Sequence, residues 1–225
     1  GIIILSTSAY LEHNHLLDLP PLAPPIVLIN RVTPFEGRFD QIDFDHFNGV
    51  VNVVDYLAGL GHKYIAHLVG PENRGSTHDR LNGYKAGLEQ HCLPFIEEYV
   101  VPGNFDEPPE NWEKSTLSLI NVSPRPTAII AANDRVAAVV MRTIQKAGIR
   151  VPDEISIVGI DNQPFCIYLY PALTTVQLPV IEAAEIATKM LLGKISGQFA
   201  EAEHVVLPCP LIVRESTGPA PEVVH

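Results

Sequence analysis

Apolar and polar positions follow a regular order in the second half of the chain. Two short apolar runs, residues 127–132 and 155–160, are typical of strands that are buried on both faces. Between them, residues 134–147 carry apolar side chains at helical spacing, and Gly148 follows as a helix stop. This pattern predicts a strand–helix–strand unit whose two strands run parallel.

Polar side chains follow both of these predicted strands. Asn133 and Asp134 come directly after the first strand, and Asp161 stands at the end of the second. In open parallel α/β sheets, ligands bind outside the carboxyl ends of the strands. The spacing therefore predicts a ligand site that includes Asn133, Asp134 and Asp161.

The rest of the chain continues the alternation of strand and helix. Further strands are predicted at 2–5, 26–30, 41–44, 64–69, 95–101, 205–207 and 211–213. Helices are predicted at 10–17, 47–60, 79–91, 111–121 and 180–196. Residues 31–41 are predicted to be a loop, and the Pro-rich end at 217–225 a frayed tail. Alternating strands and helices predict an α/β fold with doubly wound, mostly parallel sheet.

The composition narrows the range of possible functions. Of the 225 residues, 46% are hydrophobic, which is enough for one large α/β domain or two smaller lobes. A net charge of −11 repels a phosphate backbone, so we expect no nucleic-acid binding by this chain alone. The 3 cysteines show no metal-like spacing and favour a reducing cytoplasm. No apolar run is long enough to cross a membrane.

Other kinds of site lack the residues that their chemistry requires. His13 and His15 have no third ligand nearby, which argues against a metal ion. No Gly-x-Ser-x-Gly turn of a hydrolase is present, and neither are the G-x-G-x-x-G or G-x-x-x-x-G-K phosphate loops. Asp134 and Asp161 could serve as the carboxylate pair of a sugar-cleaving enzyme, but nothing in the sequence raises either pKa. We therefore expect a binding protein without cofactor, metal or catalytic residues, not an enzyme.

Six short motifs occur in order along the chain. They occupy residues 60–71, 79–84, 125–134, 151–161, 173–176 and 214–217. The second reads Asp-Arg-Leu-Asn-Gly-Tyr, and the last reads Arg-Glu-Ser-Thr. Each motif is weak alone, but together they resemble the effector-binding domain of the LacI/GalR family of bacterial transcription regulators. The resemblance covers residues 1–217.

The resemblance implies a two-lobed, periplasmic-binding-protein-like type I fold with three crossovers between the lobes. Each lobe would be a mostly parallel sheet flanked by helices. The N-terminal lobe would comprise 1–61 and 177–207 and be incomplete at its start; the C-terminal lobe would comprise 62–176 and 208–217, followed by a tail at 218–225. The DNA-binding headpiece of the family has no counterpart in this sequence. We expect earlier chain to be missing and operator DNA to be bound only through that headpiece.

The resemblance also implies individual ligand contacts. Arg80 matches the arginine that holds ligand oxygens, a task for which a planar guanidinium with paired donors is suited. Asp161 matches an acidic residue that accepts ligand donors, and Asn133 and Asp134 match the neighbouring polar pair. Phe105 matches an aromatic residue that stacks on the ligand ring. These side chains together predict a site for a polar ring compound.

Two further residues complete the predicted site. Arg74 and Asp45 lie where the family often has contacts at the rim of the site, although both belong to variable stretches of sequence. Acidic, amide and arginine groups with one aromatic residue suit a sugar or sugar derivative better than a purine, which offers more stacking surface. The predicted effector is therefore a sugar or sugar derivative.

The expected function is that of a cytoplasmic sensor domain of a DNA-binding transcription regulator. By resemblance, a small molecule would bind in the cleft between the lobes, shift their arrangement and change operator affinity in a homodimer. The alternative is a periplasmic sugar-binding protein of an ABC transporter, which shares the fold. A helix-turn-helix or a secretory signal in the preceding chain would separate the two possibilities.

Overall fold

The computed structural model describes residues 1–5, 24–30, 39–197 and 202–222. The chain divides into two compact units. The first comprises Gly1–Asp45, Asn73–Ser76 and Pro179–Pro208, and the second comprises His46–Glu72, Thr77–Leu178 and Cys209–His225. The predicted helix at 10–17 and most of the predicted loop at 31–41 lie outside the described residues.

Strands and helices alternate through most of the described chain. The strands are β1 (Ile2–Leu5), β2 (Ile26–Ile29), β3 (Asp40–Phe44), β4 (Ile65–Val69), β5 (Val100–Pro102), β6 (Ala128–Ile130), β7 (Ser156–Asp161), β8 (Thr174–Gln177), β9 (His204–Leu207) and β10 (Leu211–Ile212). The α-helices are α1 (His46–Gly59), α2 (Gly75–Gln90), α3 (Pro109–Leu119), α4 (Asp134–Lys146) and α5 (Val180–Ile195). Short 3-10 helices span Glu97–Tyr99 and Pro164–Tyr168.

The first unit is built on a parallel sheet in the order β1-β2-β3-β9. Helix α5 packs on this sheet, against β1, β2 and β3. Every residue of β2 is buried, as expected of a strand in the interior of a parallel sheet. At the start of β3, the buried carboxylate of Asp40 lies 3.4 Å from the ammonium of Lys194 on α5, which provides a cation for this buried charge.

The second unit is built on a six-stranded sheet in the order β10-β8-β7-β6-β4-β5. Its strands run parallel except β10, which runs antiparallel to β8. Alternate residues of β4, β6 and β7 face a core shared with α3 and α4, in which Leu68, Ile129 and Ile157 are fully buried. Parallel α/β sheets flanked by helices were the predicted architecture, and the fold class is confirmed.

Helix α1 packs within the second unit because two glycines of α2 allow a close approach. A Cβ on Gly83 would lie 2.3 Å from the main-chain oxygen of Phe47, and one on Gly87 would lie 2.7 Å from the Cβ of Val54. The division of the chain differs here from the predicted lobes, which assigned residues 46–61 to the N-terminal lobe. The sequence pattern predicted helix α1 but not that its buried face packs against α2.

Three local features differ from the sequence-based expectation. Most of the predicted strand at 95–101 is loop and 3-10 helix, and β5 is confined to Val100–Pro102. Strand β8 was not predicted, because its two buried threonines read as polar. The start of the predicted tail is held in place: His62 contacts the carbonyl of Gly218 at 3.0 Å, and the amide of Ala220 donates to the carbonyl of Leu60 at 2.9 Å.

Candidate functional site

The predicted ligand residues of the second unit collect at one edge of its sheet. Strands β5, β4, β6 and β7 are consecutive neighbours and run parallel, so their carboxyl ends meet at this edge. Phe105 follows β5, Asn133 and Asp134 follow β6, and Asp161 ends β7. Arg80 reaches the same edge from α2, since its guanidinium contacts Ala132.

Arg80 is a buried arginine whose guanidinium is held from two sides. Its Nη1 donates to the main-chain carbonyl of Ala132 at 2.9 Å. Its Nε and Nη2 lie 3.4 and 3.3 Å from Nδ1 of His46, the first residue of α1. Only 9% of Arg80 is exposed. A buried, fixed guanidinium is a pre-organised donor for ligand oxygens.

Asp161 ends β7 in a strained backbone conformation. Its φ is 120°, and Asn162 follows at 54°, a region that residues with a side chain rarely adopt. Burial raises the pKa of Asp161 to about 6, the cation of Arg80 opposes that rise, and the carboxyl of Asp134 adds to it. Strain together with a raised pKa is common at functional sites, because folding alone would not select either.

The strained turn is held by two hydrogen bonds to neighbouring elements. The amide of Asn162 donates to the Thr175 hydroxyl at 3.3 Å, and Nη2 of Arg214 donates to the Asn162 side chain at 2.6 Å. Arg214 also donates from Nη1 to the carbonyl of Leu173 at 2.7 Å. The chain segments around β8 and Arg214 therefore fix the backbone that presents Asp161.

Asn133 caps the helix that follows β6. Its backbone is extended, and its side-chain oxygen accepts a hydrogen bond of 2.9 Å from the amide of Val136. Such a cap satisfies one of the unpaired amides of the first helical turn. The side chain is half-buried, and its role as a ligand contact remains a prediction.

Asp134 is fully buried and bound to the protein through both carboxylate oxygens. Oδ1 accepts a hydrogen bond of 2.5 Å from the Thr175 hydroxyl, and Oδ2 accepts one of 2.7 Å from the amide of Gln163. Burial raises the pKa of Asp134, and these hydrogen bonds and the thiol of Cys166 oppose the rise. The carboxylate ties the start of α4 to β8 and to the turn after β7.

Phe105 lies over the end of β4. Its ring is so close to Gly70 that a Cβ on this glycine would lie 2.7 Å from Cζ of Phe105. The ring is half-buried and packs against the core of the second unit. It thus combines a core contact with a partly exposed aromatic surface.

Asp45 and Arg74 belong to the first unit. Asp45 follows β3, and its amide donates to the carbonyl of Leu207 at 2.9 Å. Arg74 immediately precedes α2 and is half-buried. Their predicted roles as rim contacts remain predictions.

Three residues with important contacts were not identified as site residues from the sequence: His46, Thr175 and Arg214. Thr175 and Arg214 stand in the motifs at 173–176 and 214–217, so the resemblance contained a signal for them. His46 gave no signal, because its contact with Arg80 joins residues that are 34 positions apart in the chain.

The arrangement can bind a polar compound but shows no set of metal ligands. Arg80 donates hydrogen bonds and Asp161 accepts them, and Phe105 adds an apolar surface. Within the part of the chain that the structure describes, no group of three or more His, Cys, Asp or Glu residues could hold a metal ion. No helix among these residues is long and apolar enough to span a membrane.

Comparison with known proteins agrees with this fold. The family of periplasmic binding protein-like domains matches residues 54–217. The probable HTH-type transcriptional repressor ExuR of Bacillus subtilis (strain 168) is 32% identical over 216 residues, which cover 96% of this chain and 64% of that protein. The chain thus spans somewhat less than two thirds of this relative.

Two solved structures are similar in both sequence and fold. A regulatory protein of the LacI family from Chloroflexus aggregans is 34% identical, with a TM-score of 0.79, over 86% of this chain and 69% of that one. A LacI family transcriptional regulator from Enterococcus faecium, solved with bound ribose, is 30% identical, with a TM-score of 0.76, over 87% of this chain and 71% of that one. This chain belongs to the LacI family of transcriptional regulators and covers the effector-binding domain. These relatives favour the regulator over the transporter-associated alternative.

Proposed function

We propose that this chain is the sensor domain of a transcriptional repressor and binds a sugar or sugar derivative at the carboxyl edge of the second unit's sheet. The observation that carries the proposal is the presence of two groups of opposite charge at that edge. Arg80 is a buried guanidinium held by hydrogen bonds, and Asp161 is a carboxylate on a strained backbone whose pKa burial raises to about 6. Neither group contributes to an apolar core, so both are better explained by a ligand than by folding.

The chemistry of the edge favours a compound rich in hydroxyl groups. Each hydroxyl both donates and accepts, so it can donate to Asp161 and accept from Arg80. Phe105 offers one partly exposed ring, which suits the apolar face of a sugar. The ribose bound to the Enterococcus faecium regulator is consistent with this class of ligand.

We assign the seven predicted residues different roles in this proposal. Arg80 and Asp161 hold polar groups of the effector, and Phe105 covers an apolar face. Asn133 contributes through the end of β6, where it also caps α4. Asp134 supports the site through the protein itself, since both of its carboxylate oxygens accept hydrogen bonds from protein groups. Arg74 and Asp45 remain proposed rim contacts.

In the complete regulator, the effector would change the affinity for operator DNA. A ligand shifts a conformational equilibrium only by its difference in affinity for the two states. The proposal therefore requires binding without turnover, by a domain that acts in the cytoplasm together with a DNA-binding headpiece.

We further propose that two copies of the domain associate. Tyr168 and Tyr170 are 81% and 90% exposed, and Ile167 beside them is 56% exposed. Exposed apolar groups of this kind often mark a protein–protein contact. Sedimentation of the wild type and of a Tyr168→Ser/Tyr170→Ser variant tests this: a dimer that the variant converts to monomer is expected, and a wild-type monomer at high concentration contradicts it.

A panel of monosaccharides, disaccharides, sugar phosphates and nucleosides tests the proposed effector class by thermal shift. A compound at about one hundred times its Kd stabilises the folded state by roughly 2.7 kcal/mol. For a domain of this length, this corresponds to roughly 5 °C or more. We expect a shift with a sugar and unchanged sugar on recovery. A shift with nucleosides only would contradict the sugar class, and a chemically altered sugar would contradict binding without turnover.

A further inference from the structure

His46 faces the edge of the Arg80 guanidinium that Nε and Nη2 form. Both Nε and Nη2 of Arg80 point at the same atom, Nδ1 of His46, at 3.4 and 3.3 Å. Arginine nitrogens can only donate hydrogen bonds, so Nδ1 must accept and cannot carry a proton. An imidazole that accepts at Nδ1 is the neutral form with its proton on Nε2.

The contact is set up by the packing of two helices. His46 is the first residue of α1, and Arg80 lies in the second turn of α2. Gly83 lets these helices approach closely, because a Cβ there would lie 2.3 Å from the main-chain oxygen of Phe47, the residue after His46. Both side chains are buried, His46 with 4% and Arg80 with 9% exposure.

Together, His46 and Ala132 fix the guanidinium in two directions. His46 accepts along the edge formed by Nε and Nη2, and the carbonyl of Ala132 accepts from Nη1 at 2.9 Å. Two acceptors in different directions restrict the rotation of the planar guanidinium. Its orientation is therefore set before any ligand arrives, which removes an entropic cost of binding.

We propose that His46 is a positioning residue for the effector site. Its neutral imidazole binds the guanidinium edge formed by Nε and Nη2, and so orients Arg80 to meet the effector with the edge formed by Nη1 and Nη2. This inference rests on the proposed function, because the orientation matters only when a ligand binds Arg80. It extends that function by naming a residue outside the seven predicted ones. It also predicts that an acceptor at position 46, not a histidine as such, is required.

Two substitutions distinguish the effect of the hydrogen-bond acceptor at position 46 from the effect of the size of its side chain. Asparagine in His46→Asn can place its side-chain oxygen close to the position of Nδ1, whereas leucine in His46→Leu has a similar size but no acceptor. His91→Leu is the matched control, because His91 is a histidine of the same unit that pairs with Asp55 at the surface. His46→Asn and His91→Leu should melt close to the wild type, whereas His46→Leu should melt lower because two buried donors of Arg80 lose their acceptor. Binding is therefore compared at a temperature at which every variant is fully folded.

Nuclear magnetic resonance of the ligand-free protein tests the contact directly. We expect Nδ1 of His46 to show the ¹⁵N shift of an unprotonated ring nitrogen and Nε2 that of a protonated one. The Nε–H signal of Arg80 should be protected from exchange in the wild type and in His46→Asn, and should exchange faster in His46→Leu. A protonated Nδ1, or an Arg80 signal unchanged by His46→Leu, would overturn the proposal.

Calorimetric titration tests the consequence for binding, with the panel compound that gives the largest thermal shift as the probe. His46→Leu should weaken binding by up to roughly tenfold, because the Arg80 side chain must then be ordered when the ligand binds, while His46→Asn and His91→Leu stay within about twofold. Equal affinity of His46→Leu and wild type would overturn the positioning role. If the wild type binds no panel compound, the proposed function fails and the role with it, while the resonance data still decide whether the contact exists.

Discussion

The hydroxyl of Thr175 donates a hydrogen bond of 2.5 Å to Oδ1 of Asp134, across 41 positions of the chain. This bond joins β8 to the first turn of α4, directly beside the strained turn that presents Asp161. The second oxygen of Asp134 accepts from the amide of Gln163. Asp134 therefore acts as a support beneath the site, and its removal should affect stability before it affects binding.

Substitution Asp134→Ala should destabilise the protein by about 3 kcal/mol, because the Thr175 hydroxyl and the Gln163 amide lose a buried acceptor. Chemical denaturation followed by circular dichroism measures this loss. Asp153→Ala is the matched control, since Asp153 is exposed and pairs with Arg150 at the surface, and it should change stability by less than about 0.5 kcal/mol. Similar losses for the two variants would argue against the supporting role.

Asp161 should lower stability at neutral pH, which is the opposite of the expected effect of a structural residue. Its folded pKa of about 6 lies above the ordinary 3.8, so between these values the folded state binds the proton more tightly. The resulting stabilisation is present at low pH and is lost as the pH rises through 6. Asp161→Asn should therefore be more stable than wild type at pH 7.5, by roughly 1 to 3 kcal/mol, with the advantage vanishing near pH 4.

Denaturation of Asp161→Asn and wild type at these two pH values measures the difference. Asp134→Asn serves as a contrast, because it changes a carboxylate whose oxygens are both satisfied by the protein. A less stable Asp161→Asn at pH 7.5 would show that the ionised carboxylate contributes to the fold, contrary to its proposed role.

His67 should make the stability of the fold depend on pH in the direction opposite to that expected for Asp161. The residue lies in β4, contacts the carbonyl of Ile130 through Nδ1 at 3.0 Å and has no partner for Nε2. Burial lowers its pKa to about 4, and the nearby cation of Arg80 also favours the neutral form. The unfolded chain binds a proton near 6.5, so stability should fall as the pH drops from 6.5 to 4, by about 3 kcal/mol.

The variant His67→Phe isolates this contribution, since a phenyl ring can still pack against Tyr84, whose ring lies 5.5 Å away. Stability curves from pH 7.5 to pH 4 should be flatter for the variant than for the wild type over that interval. Parallel curves would mean that His67 does not titrate during unfolding.

The approach of α1 to α2 should be sensitive to a single added methyl group. In Gly83→Ala the new Cβ would lie 2.3 Å from a main-chain oxygen, so the helices must move apart at a cost of about 1 to 3 kcal/mol. Gly59→Ala is the matched control in the same helix pair, because nothing lies within 4 Å of its added Cβ. Gly83→Ala should also weaken effector binding, since Arg80 and His46 lie on these helices; thermal melting and titration measure the two effects.

Periodicity along the chain predicted the fold class well, because strands of parallel sheets are short apolar runs and helices carry an apolar face. Helix α4 was predicted at 134–147 and spans Asp134–Lys146, with Gly148 following at a φ of 79°. Strand β8 was missed because Thr174 and Thr175 are polar by type, yet both are fully buried with their hydroxyls hydrogen-bonded. Local pattern does not reveal partners that lie far away in the chain.

Part of the candidate site could also be predicted from the pattern of apolar runs. Asn133, Asp134 and Asp161 follow apolar runs, so their common edge could be inferred from strand order. The support given by Asp134 and the hold of His46 on Arg80 depend on tertiary contacts. Only the structure distinguishes a carboxylate that binds the protein through both oxygens from one that stands at a strained strand end.

Titration of the wild type and Asp161→Asn with the best sugar of the panel, by calorimetry at pH 7.5, tests the proposed effector site most directly. Loss of a charge-assisted hydrogen bond in a buried site should weaken binding by roughly tenfold or more. We predict that Asp161→Asn is folded, is at least as stable as the wild type and binds the sugar with this lower affinity. Unchanged affinity in Asp161→Asn would contradict a sugar site at the carboxyl edge of this sheet.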